Sequence, residues 1–403
     1  MLPEMLTTRL CSLRCNEDHL TFSVLWEMDE NANILNVDFC KSVIHSKASL
    51  SYAQAQDILD SPIPSPEPTH DSLRNLNKIA RILKQRRIEA GALTLASPEV
   101  RFKLDEETQN PLDVALYQMR EANSMVEEWM LLANITVAKK TLQHFPTLSI
   151  LRRHQPPSKD QFAPLLSAAK VAGVHLDIST SLALAKSLDA AQRVNDPFFN
   201  KLLRIMSTRC MMPAQYFCSG ELSKEEWHHY GLAAPVYTHF TSPIRRYADV
   251  LVHRLLAAAI GVAPLPTANA DRAKQQEQST QMNRKHRAAQ LAQRASVRLY
   301  TNIFFKDRVC EEAAHVLNIS EERIDILVPR YGFEGPIYVD DVKQYFGLSE
   351  VVFRPERVSI DLVWAGSKGN RTISIFDKVK VIITTVENDN RERSLSIKLS
   401  TNV

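Results

Sequence analysis

The spacing of apolar residues changes several times along the chain, and each change predicts a different element. Residues 20–45 alternate between apolar and polar positions around an Asp-Glu-Asn sequence at 29–31, which predicts a hairpin with one buried face. The small residues that follow lead into a short helix around Tyr52. Between residues 61 and 70 the sequence SPIPSPEPTH carries four prolines, which predicts an extended, exposed loop.

Two longer helices are predicted next. After Asp71, which suits an N-cap, apolar residues recur at helical spacing, and we interpret the basic residues among them, including Arg87, as a solvated face. The stretch from Pro111 to His144 is predicted as one helix, too apolar in its middle for a surface position. Glu127 and Glu128 lie inside it. A carboxylate there needs a partner or faces a cavity, unless it points to solvent at the helix edge.

The last hundred residues have a different pattern. Helices are predicted from 160 to 212 and again up to about residue 305, but from Asp307 onward five short alternating segments are separated by turns. Such a series predicts a small closed or part-open β-barrel, with an OB-fold as the leading candidate. The predicted fold class is therefore α+β, with one domain at 1–306 and a barrel at 307–403.

Composition adds little to this picture. The 403 residues suffice for two domains, and the net charge of +3 means that any affinity for nucleic acid must come from local patches. The six cysteines lack zinc-site spacing and are expected to be reduced thiols of an intracellular protein. No run of about 18 apolar residues predicts a membrane span, and the N-terminus lacks the order of a secretory signal.

The segment Tyr237–Leu256, YTHFTSPIRRYADVLVHRLL, holds the most chemistry. Its Ser-Pro pair predicts a helix that starts at Pro243. Arg245 and Arg246 would then lie beside free N–H groups, where two guanidinium groups and the helix dipole favour phosphate oxygens. The alternative is a structural arginine pair held by Asp249, and the residues alone leave both interpretations open.

A basic stretch at 281–308 favours the phosphate interpretation. It holds seven Lys or Arg residues against one acid, and Arg287, Arg294 and Arg298 fall near one helical face. Together with a barrel of OB type, this stripe is typical of a groove that follows the backbone of a single-stranded nucleic acid. The alternative is a solvated basic helix.

The segment YTHFTSPIRRYADVLVHRLL resembles the diagnostic stretch of the ribonuclease II (RNB) family of 3′-to-5′ exoribonucleases. Other segments, among them NSMVEEWMLLANITVAKK and RCMMPAQYFCSG, resemble the eukaryotic branch that serves as catalytic subunit of the RNA exosome. The barrel with its YGFEG turn resembles that branch's OB-fold RNA-binding domain. The resemblance implies hydrolysis of single-stranded RNA from its 3′ end to nucleoside 5′-monophosphates, with Mg²⁺ held by carboxylates.

The resemblance also implies roles for particular residues. Arg245 would contact the phosphates near the cleavage point and stabilise developing charge, and Arg246 would add to the grip on phosphate. Tyr52 would lie near the 3′-terminal nucleotides and Glu128 near the terminal sugars. Gln293 stands where bacterial members carry a glutamate, so no carboxylate role transfers to it.

One family feature is missing from the sequence. The closely spaced aspartates that bind the metals, of DxxDxDD type, do not occur: Asp340 and Asp341 form an isolated pair, and Asp389 lies between the last predicted strands. We therefore expect residues 1–306 to be an N-terminally truncated RNB catalytic domain that supplies no metal ligands. Two cold-shock-type barrels and an endonuclease domain would also lie upstream.

The implied function is that of the exosome exoribonuclease. Its expected partners are single-stranded RNA and the exosome core subunits, with no membrane partner. Its expected location is the nucleus, including the nucleolus, with a further pool in the cytoplasm. Alone, the chain is expected to hydrolyse little or no RNA. The competing hypothesis is a non-catalytic fragment that binds RNA or takes part in exosome assembly.

Overall fold

The computed structural model describes the whole chain except residues 63–66, 97–99, 107–110, 117, 366–369, 388–392 and 401–403. The described residues form nine α-helices: α1 Tyr52–Asp60, α2 Pro68–Glu89, α3 Glu121–His144, α4 Lys159–Val171, α5 Ser181–Ala190, α6 Pro197–Cys210, α7 Tyr247–Ala259, α8 Arg272–Phe304 and α9 Val339–Phe346. They also form fourteen strands: β1 Asp18–Met28, β2 Ile34–His45, β3 Val100–Leu104, β4 Pro111–Leu116, β5 Ile150–Arg153, β6 Gln215–Cys218, β7 Cys310–Ile319, β8 Arg323–Val328, β9 Phe333–Tyr338, β10 Glu350–Arg354, β11 Ser359–Val363, β12 Arg371–Ser374, β13 Lys378–Glu387 and β14 Arg393–Leu399. This mixture confirms the α+β class.

The chain divides into two compact units that interleave along the sequence. The first comprises Met1–Leu93, Met119–Pro156 and Met212–Arg287, and the second comprises Thr94–Gln118, Pro157–Met211 and Ala288–Val403. Helix α8 contributes residues to both. The predicted domain boundary between residues 306 and 307 stays a prediction.

The first unit begins with the predicted hairpin. Strands β1 and β2 pair in antiparallel register from Asp18 opposite His45 to the turn. The Asp29 carboxylate closes that turn by accepting the N–H groups of Asn31 at 3.0 Å and Asn33 at 2.8 Å. These bonds lower the pKa of Asp29, with the Asn33 backbone as the largest cause. The short helix predicted around Tyr52 is also confirmed, as α1.

Helix α3 is the centre of the first unit, since it packs against α1, α2 and α7. Its side chains Ala133 and Val137 join Ile150 of β5 and Leu251 and Leu255 of α7 in one buried cluster. Because α3 has neighbours on several sides, its apolar residues are not confined to one stripe. The prediction that this stretch runs through a core is confirmed.

The predicted starts of α2 and α3 are wrong. The stretch from Pro111 first forms strand β4, which pairs with β3, and α3 begins only after the extended residue Arg120. Pairing with β3 satisfies the β4 backbone, and this tertiary contact overrides the local pattern. Helix α2 begins at Pro68 rather than after Asp71, because proline suits the first position of a helix. Four residues of the predicted proline-rich loop, 63–66, lie outside the described residues.

The second unit contains the predicted part-open barrel. A five-stranded sheet has the order β14-β13-β7-β8-β9, and a three-stranded sheet has the order β10-β11-β12. The edge strands β9 and β14 approach each other, and a Cβ added at Gly335 of β9 would meet the side chain of Ile397 on β14. The sheet is therefore strongly curled. Strand β7, which carries the helix-favouring sequence Glu-Glu-Ala-Ala, was not among the five predicted segments.

Two further expectations can be compared with the structure. None of the helices in the described ranges is both long enough and apolar enough to cross a membrane. All six cysteines are free thiols, as expected.

Candidate functional site

The helix of the arginine segment starts later than predicted. Helix α7 begins at Tyr247, and Pro243 to Arg245 form a turn before it. The buried Asp249 accounts for this geometry, because its Oδ1 accepts the Ser242 N–H at 2.7 Å. The chain is thus held in a turn where a helix start at Pro243 was expected.

Arg246 forms an ion pair with Asp249 inside the turn. Its Nε donates to Asp249 Oδ2 at 2.8 Å, its Nη2 donates to Asp249 Oδ1 at 2.8 Å, and Thr241 Oγ1 lies 3.3 Å from Nη2. The Asp249 side chain is fully buried and that of Arg246 is 20% exposed. These contacts agree with the alternative of an arginine held by Asp249, and the expected contact of Arg246 with phosphate stays a prediction.

Arg245 has a different environment. It is exposed, and the structure gives its side chain no hydrogen bond or ion pair with any described residue. Its backbone N–H is fixed on the Ser242 carbonyl at 3.2 Å. A guanidinium held at a defined place with unused donors is well suited to phosphate oxygens.

Buried hydrogen bonds fix the segment that precedes the arginines. Asn134 of α3 is fully buried, donates to the Tyr237 hydroxyl at 3.0 Å and accepts the Phe240 N–H at 2.8 Å. The Thr238 hydroxyl donates to the Ile150 carbonyl at 2.6 Å. The segment therefore enters the Pro243 turn from a rigid position.

His253 completes this support. Its Nε2 lies 2.8 Å from the Phe240 carbonyl, and its ring stacks on Phe240 with 4.5 Å between ring centres. Burial lowers the pKa of His253, against the opposing effect of that carbonyl. The imidazole is thus a neutral packing group that holds the backbone.

A second histidine lies beside two cations. His239 Nδ1 shares a 2.5 Å hydrogen bond with the Tyr216 hydroxyl, and the Arg152 guanidinium lies 4.6 Å from the centre of the Tyr216 ring. Burial lowers the pKa of His239 to about 2, and the nearby Arg246 and Arg152 act in the same direction. The charge of this region therefore comes from the guanidinium groups, while the imidazole stays neutral.

Glu128 is partnered. It is buried at 3% exposure, and Arg87 of α2 grips both of its oxygens, with Nε 3.1 Å from Oε2 and Nη2 2.5 Å from Oε1. Glu127 is 42% exposed and lies 3.9 Å from Arg87 Nη2, so it is the residue at the helix edge. The interpretation of Arg87 as part of a solvated face is wrong, because its side chain is only 18% exposed.

Tyr52 presents an available ring. It is the first residue of α1, is 43% exposed, and follows a Ser51–Gln54 capping box that fixes the helix start. Helix α1 packs against α3, which carries Glu128, and α3 packs against α7. Helix α3 therefore links α1, which begins at Tyr52, with α7, which begins directly after Arg246.

The basic stripe lies on α8. Arg287, Arg294 and Arg298 are all exposed, and none of them has an ion pair with a described residue. Gln293 is exposed on the same helix. The contacts leave the groove and the solvated-helix interpretations open. The assigned roles of Tyr52, Glu128 and these arginines stay predictions.

The residues of the described ranges do not fit a Mg²⁺ site. They contain no group of three or more His, Cys, Asp or Glu side chains that could hold a metal ion. Asp340 and Asp341 are exposed at the start of α9, and Asp389 lies outside the described residues. Since Mg²⁺ needs several converging oxygen ligands, the described residues lack a ligand set that could hold the ion and activate water.

Sequence reasoning missed three residues of this region. Asn134 is an amide within the apolar run LLANITVA, and this contrast was a usable signal of a buried polar contact. Arg87 stood in a basic run, and Arg152 in an Arg-Arg pair, so neither differed from ordinary surface residues in the sequence.

A family model described as the RNB domain matches residues 1–261, and one described as an S1 domain matches residues 310–397. The exosome complex exonuclease RRP44 homolog A of Arabidopsis thaliana is 48% identical over 99% of this chain and 42% of its own length. The human exosome complex exonuclease RRP44 is 47% identical over 95% of this chain and 39% of its own length.

A solved structure, Mycoplasma genitalium RNase R in complex with ribose-methylated single-stranded RNA, matches with a TM-score of 0.81. It is 21% identical, and the match covers 98% of this chain and 60% of that one. Identity at this level supports the shared fold alone. The chain spans about two fifths of the length of the two curated relatives.

Proposed function

Because the chain belongs to the RNB family, we propose that it forms the RNA-handling part of a 3′-to-5′ exoribonuclease of the RNA exosome. The complete enzyme would degrade or process single-stranded RNA to nucleoside 5′-monophosphates. The observation that carries the proposal is Arg245, an exposed guanidinium without a described partner in the family's diagnostic segment. The two exosome exonucleases at 47–48% identity support the substrate class.

In this proposal some residues contact the RNA, and others hold those residues in place. Arg245 contacts phosphate near the scissile bond and stabilises developing charge. Arg246 acts through the Asp249 fork, which holds the turn that presents Arg245. Tyr52 offers an aromatic face to the terminal nucleotides, and Glu128 lies near the terminal sugars while Arg87 neutralises it.

The metal belongs to the complete enzyme. When bound, Mg²⁺ would supply the activated water and charge stabilisation of phosphodiester hydrolysis. Since the described residues offer no matching ligand cluster, we assign the chain the binding and orientation of RNA. Its proposed partners are single-stranded RNA and the exosome core subunits, and its proposed location is the nucleus and nucleolus, with a cytoplasmic pool.

Binding of a labelled single-stranded RNA to the purified chain tests this assignment. Fluorescence anisotropy at several salt concentrations should give tighter binding to the single strand than to a duplex of the same sequence, with an affinity that falls as salt rises. Equal affinity for strand and duplex, or binding that does not depend on salt, would contradict a role in handling single strands.

The second candidate is a non-catalytic fragment that binds RNA or takes part in exosome assembly. The absence of a metal-ligating cluster from the described residues favours it for this chain taken alone. Mixing the chain with exosome core subunits and measuring co-elution by size-exclusion chromatography, with and without RNA, tests assembly independently of hydrolysis.

A further inference from the structure

His239 lies beside the arginine segment and has one ring nitrogen without an assigned role. The residue is partly buried, two positions after Tyr237 and two before Thr241. The ring centres of His239 and Tyr237 lie 5.5 Å apart. On the other side, Thr241 Oγ1 lies 3.3 Å from Arg246 Nη2, and Arg246 is close enough to act on the pKa of His239. The imidazole therefore stands next to the segment's guanidinium groups.

Tyr216 of β6 fixes the orientation of this imidazole. Its hydroxyl lies 2.5 Å from His239 Nδ1, and the two rings meet edge to face with 5.5 Å between their centres. The hydroxyl proton has no other acceptor among the described residues. The hydroxyl therefore donates to Nδ1, which leaves the single ring proton of the neutral imidazole on Nε2.

The Nε2–H of His239 is an available donor. No described residue forms a hydrogen bond with it. It keeps accessible surface, since it is not one of the fully enclosed nitrogens without a partner, as His229 Nδ1 is. A donor that is fixed in direction and open on its outer side can bind an acceptor from outside the chain.

Arg152 of β5 adds a positive charge without a counter-ion. Its backbone N–H donates to the Tyr237 carbonyl at 2.8 Å, and its guanidinium carbon lies 4.6 Å from the centre of the Tyr216 ring. It forms no ion pair within the described part of the chain. Arg246, by contrast, already forms an ion pair with Asp249. The charge of Arg152 therefore stays uncompensated, which favours an anion beside His239.

We propose that His239 Nε2–H donates to a phosphate oxygen of single-stranded RNA, at a subsite whose positive charge comes from Arg152. A phosphodiester fits because it is both a hydrogen-bond acceptor and an anion, whereas a neutral ligand would leave Arg152 without a counter-ion. Tyr216 is then a positioning residue, since it holds the imidazole in the donating tautomer. The choice of RNA rests on the proposed function, because free inorganic phosphate offers the same chemistry.

The test uses the whole chain with ¹⁵N-labelled histidine imidazoles, and the His239 signals are identified by their loss in His239→Gln. Near neutral pH the long-range ¹H–¹⁵N spectrum should show Nε2 protonated and Nδ1 unprotonated. The trinucleotide UpUpU should shift the Nε2 signal, while the signals of the exposed His175 should not respond. In Tyr216→Phe, which keeps the ring but removes the hydroxyl, the tautomer with the proton on Nδ1 should appear as well.

A matched pair of variants separates the donor from the packing of the ring. His239→Gln and His239→Met introduce side chains of the same length, and both remove the acceptor of the Tyr216 hydroxyl, but only glutamine can place an N–H near the position of Nε2. By calorimetry, His239→Met should bind UpUpU about tenfold more weakly than the unmodified chain, the loss of one hydrogen bond to a charged group. His239→Gln should stay within about threefold of it.

Inorganic phosphate forms the second arm of the titration and identifies the source of the anion. A trinucleotide is the main probe because a single contact changes the affinity of a long strand little, where many phosphates share the binding. We expect UpUpU to shift the Nε2 signal of His239 at lower concentration than inorganic phosphate does. The opposite order would identify the free anion as the ligand and overturn the assignment to RNA.

The proposal is also overturned if Nδ1 of His239 carries the proton, if UpUpU leaves the Nε2 signal unshifted, or if the glutamine and methionine variants bind equally well. Salt-dependent binding of a long single strand with an unshifted Nε2 signal would remove this subsite and leave the proposed function intact. A shift by UpUpU in a chain that binds single strand and duplex with equal affinity would do the reverse.

Discussion

At the scale of single residues, Arg245 and Arg246 are neighbours with different chemistry. The Asp249 fork uses the donors of Arg246, whereas Arg245 is exposed and has no described partner. A guanidinium whose charge is already compensated inside the protein has little left for a substrate. This difference supports the proposal that Arg245 contacts phosphate and that Arg246 holds the turn.

Replacement of Arg245 separates catalysis from binding. In a longer version that carries the family's aspartate cluster, Arg245→Ala should lower the single-turnover hydrolysis rate by about 100-fold, the usual cost of losing one charge-stabilising donor. RNA affinity should change less than about threefold, because binding is spread over many phosphates. Rapid-quench hydrolysis and anisotropy measure the two quantities. An equal fall in both would make Arg245 a binding residue only.

The two adjacent glutamates of α3 provide a matched pair for stability. Glu128→Gln leaves the largely buried Arg87 without its anion and should lower the free energy of unfolding by about 3 kcal/mol. Glu127→Gln removes an exposed carboxylate 3.9 Å from the same guanidinium and should cost less than about 1 kcal/mol. Urea denaturation of both variants measures the difference, and equal losses would contradict a buried ion pair at Glu128.

The buried histidines give stability a defined pH dependence. Burial lowers the pKa of His239 to about 2 and of His229 to about 3, below the value of about 6.5 in an unfolded chain. Between these values the unfolded state binds more protons, so stability is full above pH 6.5 and falls as the pH drops. Each imidazole contributes at most about 2 kcal/mol between pH 7.5 and 5.

Two variants test whether stability falls at low pH and whether His239 is a cause of that fall. Urea midpoints at pH 7.5 and 5 should differ less in His239→Phe than in the unmodified chain. His175→Phe is the control, because His175 is exposed, and it should leave the difference unchanged. A pH dependence that His239→Phe does not reduce would contradict a neutral His239 in the folded state.

At the scale of elements, the spacing of apolar residues predicted the secondary structure correctly where neighbouring residues determine it. It failed where a contact with a residue distant in sequence determines it. The β1–β2 hairpin alternates along its whole length, and its Asp29 turn has its own hydrogen bonds, so both were predictable. The start of α7 was not, because the buried Asp249 draws the Ser242 N–H into a turn across seven residues. Likewise β4 depends on β3, a partner that no local pattern reveals.

The stripe on α8 makes a prediction about this helix as a whole. If Arg287, Arg294 and Arg298 contact phosphates, replacing all three with Gln should reduce the salt slope of single-stranded RNA binding by about 2, or roughly 0.7 for each lost contact. Lys285→Gln is the control, because Lys285 lies on the opposite helical face and is also exposed. An equal loss per charge for Lys285 would favour a solvated basic helix.

At the scale of the whole molecule, the resemblance to a known family indicated more about function than the spacing of apolar residues did. The α+β class and the curled barrel could be predicted from periodicity, but the family required a specific segment around Arg245. The apolar surroundings indicated that a carboxylate at position 127 or 128 needs a partner or faces a cavity. That Glu128 is the buried one, and that Arg87 is its partner, depended on how α2 packs against α3. A contact between residues on two different helices cannot be predicted from the sequence of either helix alone.

The central claim is that these residues hold and orient RNA but do not themselves supply the metal-binding groups for its hydrolysis. It is tested most directly by a 3′-exonuclease assay on a labelled single-stranded RNA, with and without Mg²⁺. The chain is compared with the same chain joined to an upstream segment that carries the family's aspartates. We predict Mg²⁺-dependent release of mononucleotides by the extended form only. Mg²⁺-dependent release by the chain alone would contradict the claim and require metal ligands among its own residues.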